Sequence, residues 1–401
     1  MSFRESAADM RDELVRLRHS LHREPELGLD LPRTQEKVLE AISGLPLEVR
    51  LGERLSSVTA VLRGALPGPT VLLRGDMDAL PVSERPGAGG VTASRFEGRM
   101  HACGHDLHTT MLAGAAHLLS AGRDRLAGNV VFMFQPGEEG HDGAKLMIEE
   151  GTLDAAGERP VAAYALHVTS AMLPQGTFLT KGGPMMSAID ELTVTVRGAG
   201  GHGSTPHRAK DPVPAACEMV LALQSMVTRS FDVFDPVVVT VGSFHAGTVS
   251  NVIPEEARFA VTIRSFSPSA RERLQERTVT LVRGIAAAHG LDVEADYQGI
   301  YPVTVNDAGE ARFVAETVRE VYGEQRFRQA ANPFTGSEDF SYVCDQIPSV
   351  FVALGACPAD RDPERAAYNH APDAEFDDAV LPDGAALYAE LAARRLAGAT
   401  A

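Results

Sequence analysis

Residues 70–78 read TVLLRGDMD, a non-alternating apolar start that leads through Arg74 and Gly75 into two acids. Where apolar residues follow one another without alternation, a strand is covered on both faces, as in a parallel sheet flanked by helices. The same texture returns in VTAVLRG (58–64), NVVFMF (129–134), VAAYALHV (161–168) and PSVFVALGA (348–356). Helical runs separate these strands: TTMLAGAAHLLSAG (109–122), Ala144 to Glu150, ARFVAETVREVYG (311–323) and AVLPDGAALYAELAARRLAG (379–398). The expected fold class is therefore α/β, with a mainly parallel sheet in the larger domain.

Between these stretches the texture changes. DELTVTVRG (190–198) alternates with period two and puts Leu192, Val194 and Val196 on one face. A helical DPVPAACEMVLALQSMVTR, a strand VVVTVGSFHAG and a second alternating strand EARFAVTIRSF come next. A helix from about Ser267 to His289 and a last strand, LDVEADY, complete the order β-α-β-β-α-β, a ferredoxin-like α+β arrangement. The expectation is an inserted domain at 188–297 in a discontinuous catalytic domain formed by 1–187 and 298–401. Cys217, inside the apolar helical run, is expected to be a buried small hydrophobe.

Composition narrows the functional classes. The chain has 401 residues and a formal charge of −17, which disfavours a polyanion such as nucleic acid as partner. No run approaches the roughly 20 apolar residues of a membrane span. The start, MSFRESAADMRDELVRLRHSL, has no apolar signal core and reads as one amphipathic helix with Met10, Leu14, Leu17 and Leu21 on a face. A cytoplasmic location is the expectation. The four cysteines, Cys103, Cys217, Cys344 and Cys357, lack disulfide-scaffold spacing.

In open α/β sheets, ligands collect beyond the carboxyl ends of the strands. TVLLRG runs into Asp76 and Asp78, NVVFMF into Gln135-Pro-Gly-Glu138-Glu139, and AYAL into His167; the loop after PSVFVALGA carries Asn369 and His370. RMHACGHD (99–106) is read as a loop just before a helix beginning near Thr109. Thiolate, imidazole and carboxylate together suit zinc, manganese, cobalt or nickel. Gly104 lets the backbone bend so that Cys103 and His105 turn to one point. Two adjacent buried acids, Glu138 and Glu139, are costly without cations, and they can divide the work: one ligates, the other takes a proton. His101 and His108 are expected to pack the loop or back the ligands rather than ligate. An activated Cys103 nucleophile is the competing reading, but it leaves Glu138, Glu139, His167 and His370 without a task.

LHREPELG, RGDMDALPV, MHACGHDLHTTMLAGAA, FQPGEEG, ALHV, GGHGSTPH, SNVIPEEA, TGSEDFS and NHAPDAEFDD occur in this order along nearly the whole chain. Together they resemble the aminoacylase and carboxypeptidase branch of the dinuclear metallopeptidases. Within it, the chain is similar to the amidohydrolase subgroup of hippurate hydrolases, N-acyl-amino-acid amidohydrolases and plant auxin-conjugate hydrolases. The resemblance implies two divalent ions per subunit (manganese, zinc, cobalt or nickel) held by Cys103, His105, Glu139, His167 and His370. It makes Glu138 the general base and later the acid. Asp76-Met77-Asp78 stands where the wider family has His-x-Asp, so Asp76 and Asp78 are assigned to support behind the ligands. The inserted domain becomes a lid and dimer contact, giving a homodimer or tetramer. His202 would steady the oxyanion at its own or a partner's site, and Asn251 would hold substrate. Arg264 is the candidate partner for a substrate carboxylate because a guanidinium can grip one with two hydrogen bonds.

The implied activity is hydrolysis of N-acyl amino acids to a carboxylic acid and a free amino acid. A dipeptidase, a deacetylase of a biosynthetic intermediate, and a catalytically silent ligand-binding homologue are the alternatives.

Overall fold

The computed structural model describes residues 2–85 and 93–398. In chain order the helices and strands are α1 (Phe3–Asp9), α2 (Arg11–Arg23), α3 (Pro32–Ala41), β1 (Leu47–Leu51), β2 (Val58–Arg63), β3 (Leu66–Asp76), α4 (His105–Ala121), β4 (Ala127–Gln135), α5 (Gly143–Glu149) and β5 (Ala162–Thr169). Then come β6 (Phe178–Thr180), β7 (Gly183–Met186), β8 (Ala188–Arg197), β9 (Gly201–His202), α6 (Pro212–Ser230), β10 (Val237–Ala246), β11 (Val252–Ile253), β12 (Glu256–Ser265), α7 (Pro268–His289) and β13 (Asp292–Tyr301). The chain closes with β14 (Thr304–Asn306), α8 (Ala308–Tyr322), β15 (Phe327–Gln329), α9 (Ser341–Cys344), β16 (Ser349–Gly355) and α10 (Leu381–Gly398). Among the described residues, no helix is long and apolar enough to cross a membrane.

The chain folds as two compact units, one made of 186–304 with 333–338 and the other of the remaining described residues. In the larger unit the sheet has the order β1-β2-β4-β3-β5-β16-β6-β15. Its centre is parallel: β3 pairs with β4 and β5, and β5 with β16. Four of the five apolar runs are these central strands, as burial on both faces requires; the fifth, β2, is equally buried but pairs antiparallel with β1 and β4. Val71 and Leu73, Val130 and Phe132, and Tyr164 and Leu166 face one core with residues of α2, α4, α8 and α10. Leu72, Val131 and Phe351 are equally buried but lie outside that core, facing the other way. Burial of each such side chain contributes about 1.5–3 kcal/mol.

The amino-terminal helix is interrupted. A capping box, in which Ser2 and Glu5 bond each other's backbone N–H, starts α1, and Met10 separates it from α2. Leu14 and Leu21 are buried as the amphipathic pattern requires.

In the smaller unit β10-β12-β8-β13 forms a fully antiparallel sheet. Leu192, Val194 and Val196 are buried with Phe259, Val261 and Ile263 against α6 and α7. The order β8-α6-β10-β12-α7-β13 and this strand arrangement are those of a ferredoxin-like layer. β13 runs past residue 297 to Tyr301, paired along β8 with a bulge between Gly299 and Tyr301.

One expectation fails here. Cys217 is exposed, not buried. The buried stripe of α6 runs through Ala215, Ala216, Met219, Leu223 and Met226, and Cys217 and Leu221 fall off it. In an apolar run, helical phase rather than composition decides which side faces in.

Candidate metal centre

The carboxyl ends of β3, β4 and β5 open at one edge of the central sheet, and parallel pairing sets Asp76 opposite Gln135. α4 begins at His105, four residues before the expected start near Thr109. Gly104 is its N-cap, with φ 85°. A Cβ there would stand 2.4 Å from Val168 Cγ2, so only glycine permits the approach. Asp106 in the first turn suits the positive end of the helix, which is why HDLH joins it despite modest helix propensity. The helical start fixes His105 on a rigid element and leaves Cys103 in the loop just before it.

The side chains converge. Cys103 Sγ lies 3.3 Å from His167 Nε2 and 3.3 Å from His370 Nε2. His370 Nε2 is 3.1 Å from Glu139 Oε1. His105 Nδ1 is 3.4 Å from Asp78 Oδ1, and its Nε2 is 4.0 Å from Glu138 Oε2. Donor atoms of Cys103, His105 and His167, of Cys103, Glu139 and His370, and of His105, Glu138 and Glu139 form three overlapping groups, each within 4.8 Å.

Burial makes this arrangement informative. His105 is fully buried, and among the described residues neither ring nitrogen makes a hydrogen bond; the buried Glu139 Oε1 meets the His370 imidazole at 3.1 Å. Such groups are expensive unless a cation or proton satisfies them. The set of one thiol, three imidazoles and a carboxylate fits divalent transition ions.

The charges reflect these contacts. Burial, then the neighbouring His108, holds His167 well below the ordinary imidazole value, so its ring is neutral. Burial also opposes charge on His105, but Asp76 and Cys103 outweigh it and raise its value well above the ordinary one. His370 is pushed up to about 10 by the Cys103 thiol and then the Glu139 carboxylate.

Asp76 and Asp78 turn out to do different things. Asp78 accepts the backbone N–H of Glu138 (3.1 Å) and of Glu139 (3.0 Å), clamping the loop that carries both acids. Asp76 accepts from His108 Nδ1 and Arg74 Nη1, each at 2.5 Å. His370 sits at φ 74°, where its N–H bonds Ala102 O. That bond ties the carboxyl-terminal loop to the residue before Cys103.

A family model described as peptidase family M20/M25/M40 matches residues 72–394. The chain belongs to this family. Over 96% of its length it is 34% identical to thermostable carboxypeptidase 2 of Saccharolobus solfataricus, covering 95% of that protein. It is likewise 34% identical to hippurate hydrolase of Campylobacter jejuni, over 97% of this chain and 98% of the relative. Among solved structures, a protein of Bacillus subtilis described as a dinuclear metal binding peptidase of the M20 family superposes with a TM-score of 0.82. It is 30% identical and covers 97% of this chain and 99% of its own.

Three named residues of this M20-family chain belong to the smaller unit. β9 and β11 pair there with His202 opposite Val252, which brings His202 and Asn251 to one exposed ribbon. His202 Nδ1 accepts from Ser204 N at 3.1 Å, which leaves Nε2 of this exposed ring free to donate. Arg264, half-buried on β12, donates to Ser337 Oγ, and burial lowers its pKa.

Sequence reasoning passed over Arg74 and placed Asn369 beside His370 without a task. Arg74, fully buried, donates to Asp76, to Gln135 Oε1 (2.8 Å) and to Asp339 Oδ1 (3.0 Å). Asn369 donates to Cys103 O and Val168 O and accepts from Ser170 N, stitching three loops. The visible signal was a lone cation within TVLLRGD, two residues before Asp76 and so on the same strand face. Four histidines outside the cluster have ordinary partners: His19 bonds Asp378, His22 bonds Asp106, His117 bonds Ala41 O and His289 bonds Glu218, whereas the buried His101 ring makes no hydrogen bond among the described residues.

Proposed function

We propose that the chain is a metal-dependent amidohydrolase that cleaves the amide of N-acyl amino acids, giving a carboxylic acid and a free amino acid. One observation carries the reading: five potential ligands, from β5, the start of α4 and three loops, converge beside Glu138, and the fully buried His105 ring makes no hydrogen bond among the described residues. The M20-family relatives named as hydrolases of hippurate and of peptides support it.

Cys103, His105, Glu139, His167 and His370 would hold two divalent ions, whose chemistry is Lewis acidity toward water and the amide carbonyl. Glu138, almost fully buried next to His105, takes a proton from the attacking water and delivers it to the departing amine. Asp78 keeps that carboxylate in place through the Glu138 backbone. His202 donates to the developing oxyanion. Asn251 and Arg264 bind substrate, Arg264 through its carboxylate. The smaller unit serves as lid and dimer contact, and its β10 edge supports this by leaving an open ladder with exposed Val238 and Phe244.

Chelation followed by separate return of manganese, zinc, cobalt and nickel tests the reading, with N-acetyl amino acids, N-benzoyl amino acids and dipeptides as substrates. The expected result is loss on chelation, recovery with metal, and preference for the acylated amino acids. The carboxypeptidase relative makes peptides the second reading, and a preference for dipeptides would select it. Activity that survives chelation but not thiol alkylation would replace both with a Cys103 nucleophile.

A further inference from the structure

The ladder between β3 and β5 stops early. Its last pair is Arg74 with Ala165, yet β3 continues to Asp76 and β5 to Thr169. Beyond that rung the strands lose each other as partners, and the backbone N–H groups of Leu166 and Val168 on that side need other acceptors.

Two buried side chains supply them. The Tyr388 hydroxyl, from α10, accepts from Leu166 N at 2.8 Å and donates to Arg74 O at 2.5 Å, bridging the strands where the ladder ends. One step farther out, His108 of α4 accepts from Val168 N at 2.7 Å through Nε2. An Nε2 that accepts carries no proton, so the ring proton is on Nδ1, which donates to Asp76 Oδ1. Arg74 opposes the cost of burial and holds Asp76 well below the ordinary carboxylate range. His108 thus spans from the end of β3 to the end of β5.

The rung acts on a proposed ligand. Val168 comes directly after His167, and Val168 O accepts from His167 Nδ1 at 2.9 Å and from Asn369 Nδ2 at 3.0 Å. With Nδ1 occupied, His167 presents Nε2 to Cys103 Sγ. The His108 and His167 rings lie 4.6 Å apart. The residue beside His167 is therefore gripped at its N–H by His108 and at its carbonyl by His167 itself and Asn369.

We propose that His108 and Tyr388 are positioning residues that replace the missing β3–β5 rungs, and that the Arg74–Asp76–His108 chain thereby fixes the tautomer and aim of His167. The proposal rests on the metal-site reading for its consequence but not for its geometry. Outer partners of a ligating imidazole typically change metal affinity by about 10–100-fold.

The test uses the full chain and variants H108Q, H108N, H108A and Y388F. Glutamine can place an acceptor where Nε2 stands, whereas asparagine can reproduce only the Nδ1 contact with Asp76. Nitrogen-15 spectra of the metal-free protein read the His108 and His167 tautomers, and calorimetry with zinc alone reads affinity. Expected are a His108 proton on Nδ1 and a His167 proton on Nδ1. H108A should scramble the His167 tautomer and lower zinc affinity by roughly 10–100-fold, with H108Q restoring more than H108N. Y388F should keep the tautomers and lower affinity less.

An unchanged His167 tautomer in H108A, or better rescue by H108N than by H108Q, overturns the proposal. If the parent chain binds no zinc, the metal reading falls while the tautomer result still decides the positioning role. Should H108A fail to fold, H108Q against H108N gives the same decision.

Discussion

At the scale of single residues, adjacent side chains of the cluster are set against different partners. Glu138 and Glu139 are neighbours, yet one is placed beside His105 and the other beside His370. Changing Glu138 to Gln removes the proton carrier without removing a proposed ligand. Turnover should fall on the order of a hundredfold or more while metal content by elemental analysis stays at the parent level; normal turnover would take Glu138 out of the reaction. Gly104 is constrained by φ 85° and by the close approach to Val168. Gly104→Ala should cost about 2–4 kcal/mol from left-handed strain and overpacking, read by denaturant unfolding. A cost below about 0.5 kcal/mol, the scale of a neutral surface change, would show that the Cys103 loop relaxes freely.

At the scale of elements, the first turn of α4 is held from behind by α2. Asp106 Oδ2 accepts from Arg18 Nε and bonds His22 Nδ1, both at 2.8 Å, and all three residues are buried. Burial opposes charge on His22, but Asp106 and Glu84 outweigh it and raise its pKa. A raised imidazole stabilises the fold fully below its unfolded value of about 6.5, and that contribution is lost as pH rises through the higher folded value. His22→Asn should therefore lower the melting temperature more at pH 6 than at pH 9. An equal loss at both pH values would mean that His22 serves only as packing. The start of α4 also shows what local pattern misses. HDLH has no apolar stripe to announce a helix, and Gly104 in a left-handed cap lets the helix begin there.

At the scale of the whole molecule, the residues proposed for function lie in two compact units with different architectures. The larger brings Cys103, His105, Glu139, His167 and His370 together; the smaller carries His202, Asn251 and Arg264. If the smaller unit is the dimer contact, sedimentation should report a dimer or tetramer, and charged residues at Val238 and Phe244 on the β10 edge should shift it to monomer. A monomeric parent would refute that contact. His202→Ala should lower turnover on the order of a hundredfold, the scale of a lost oxyanion donor, with metal content unchanged.

The α/β class, the ferredoxin-like run of elements and the residues around the strand ends were all legible in the linear chain. Each depends on local periodicity or on the few residues just past a strand, and both are written in consecutive positions. Tertiary structure alone decided the rest. It turned Cys217 outward, since phase on a helix is set by the surface the helix packs against. It separated Asp76 from Asp78, sending one to Arg74 and His108 and the other to the Glu138 loop. It also paired Arg74 with Asp339, 265 positions away, and set Tyr388 and His108 across the gap where β3 and β5 part. Short-range order is carried by the polypeptide's own repeat, whereas a hydrogen bond between distant residues exists only once the chain has closed on itself.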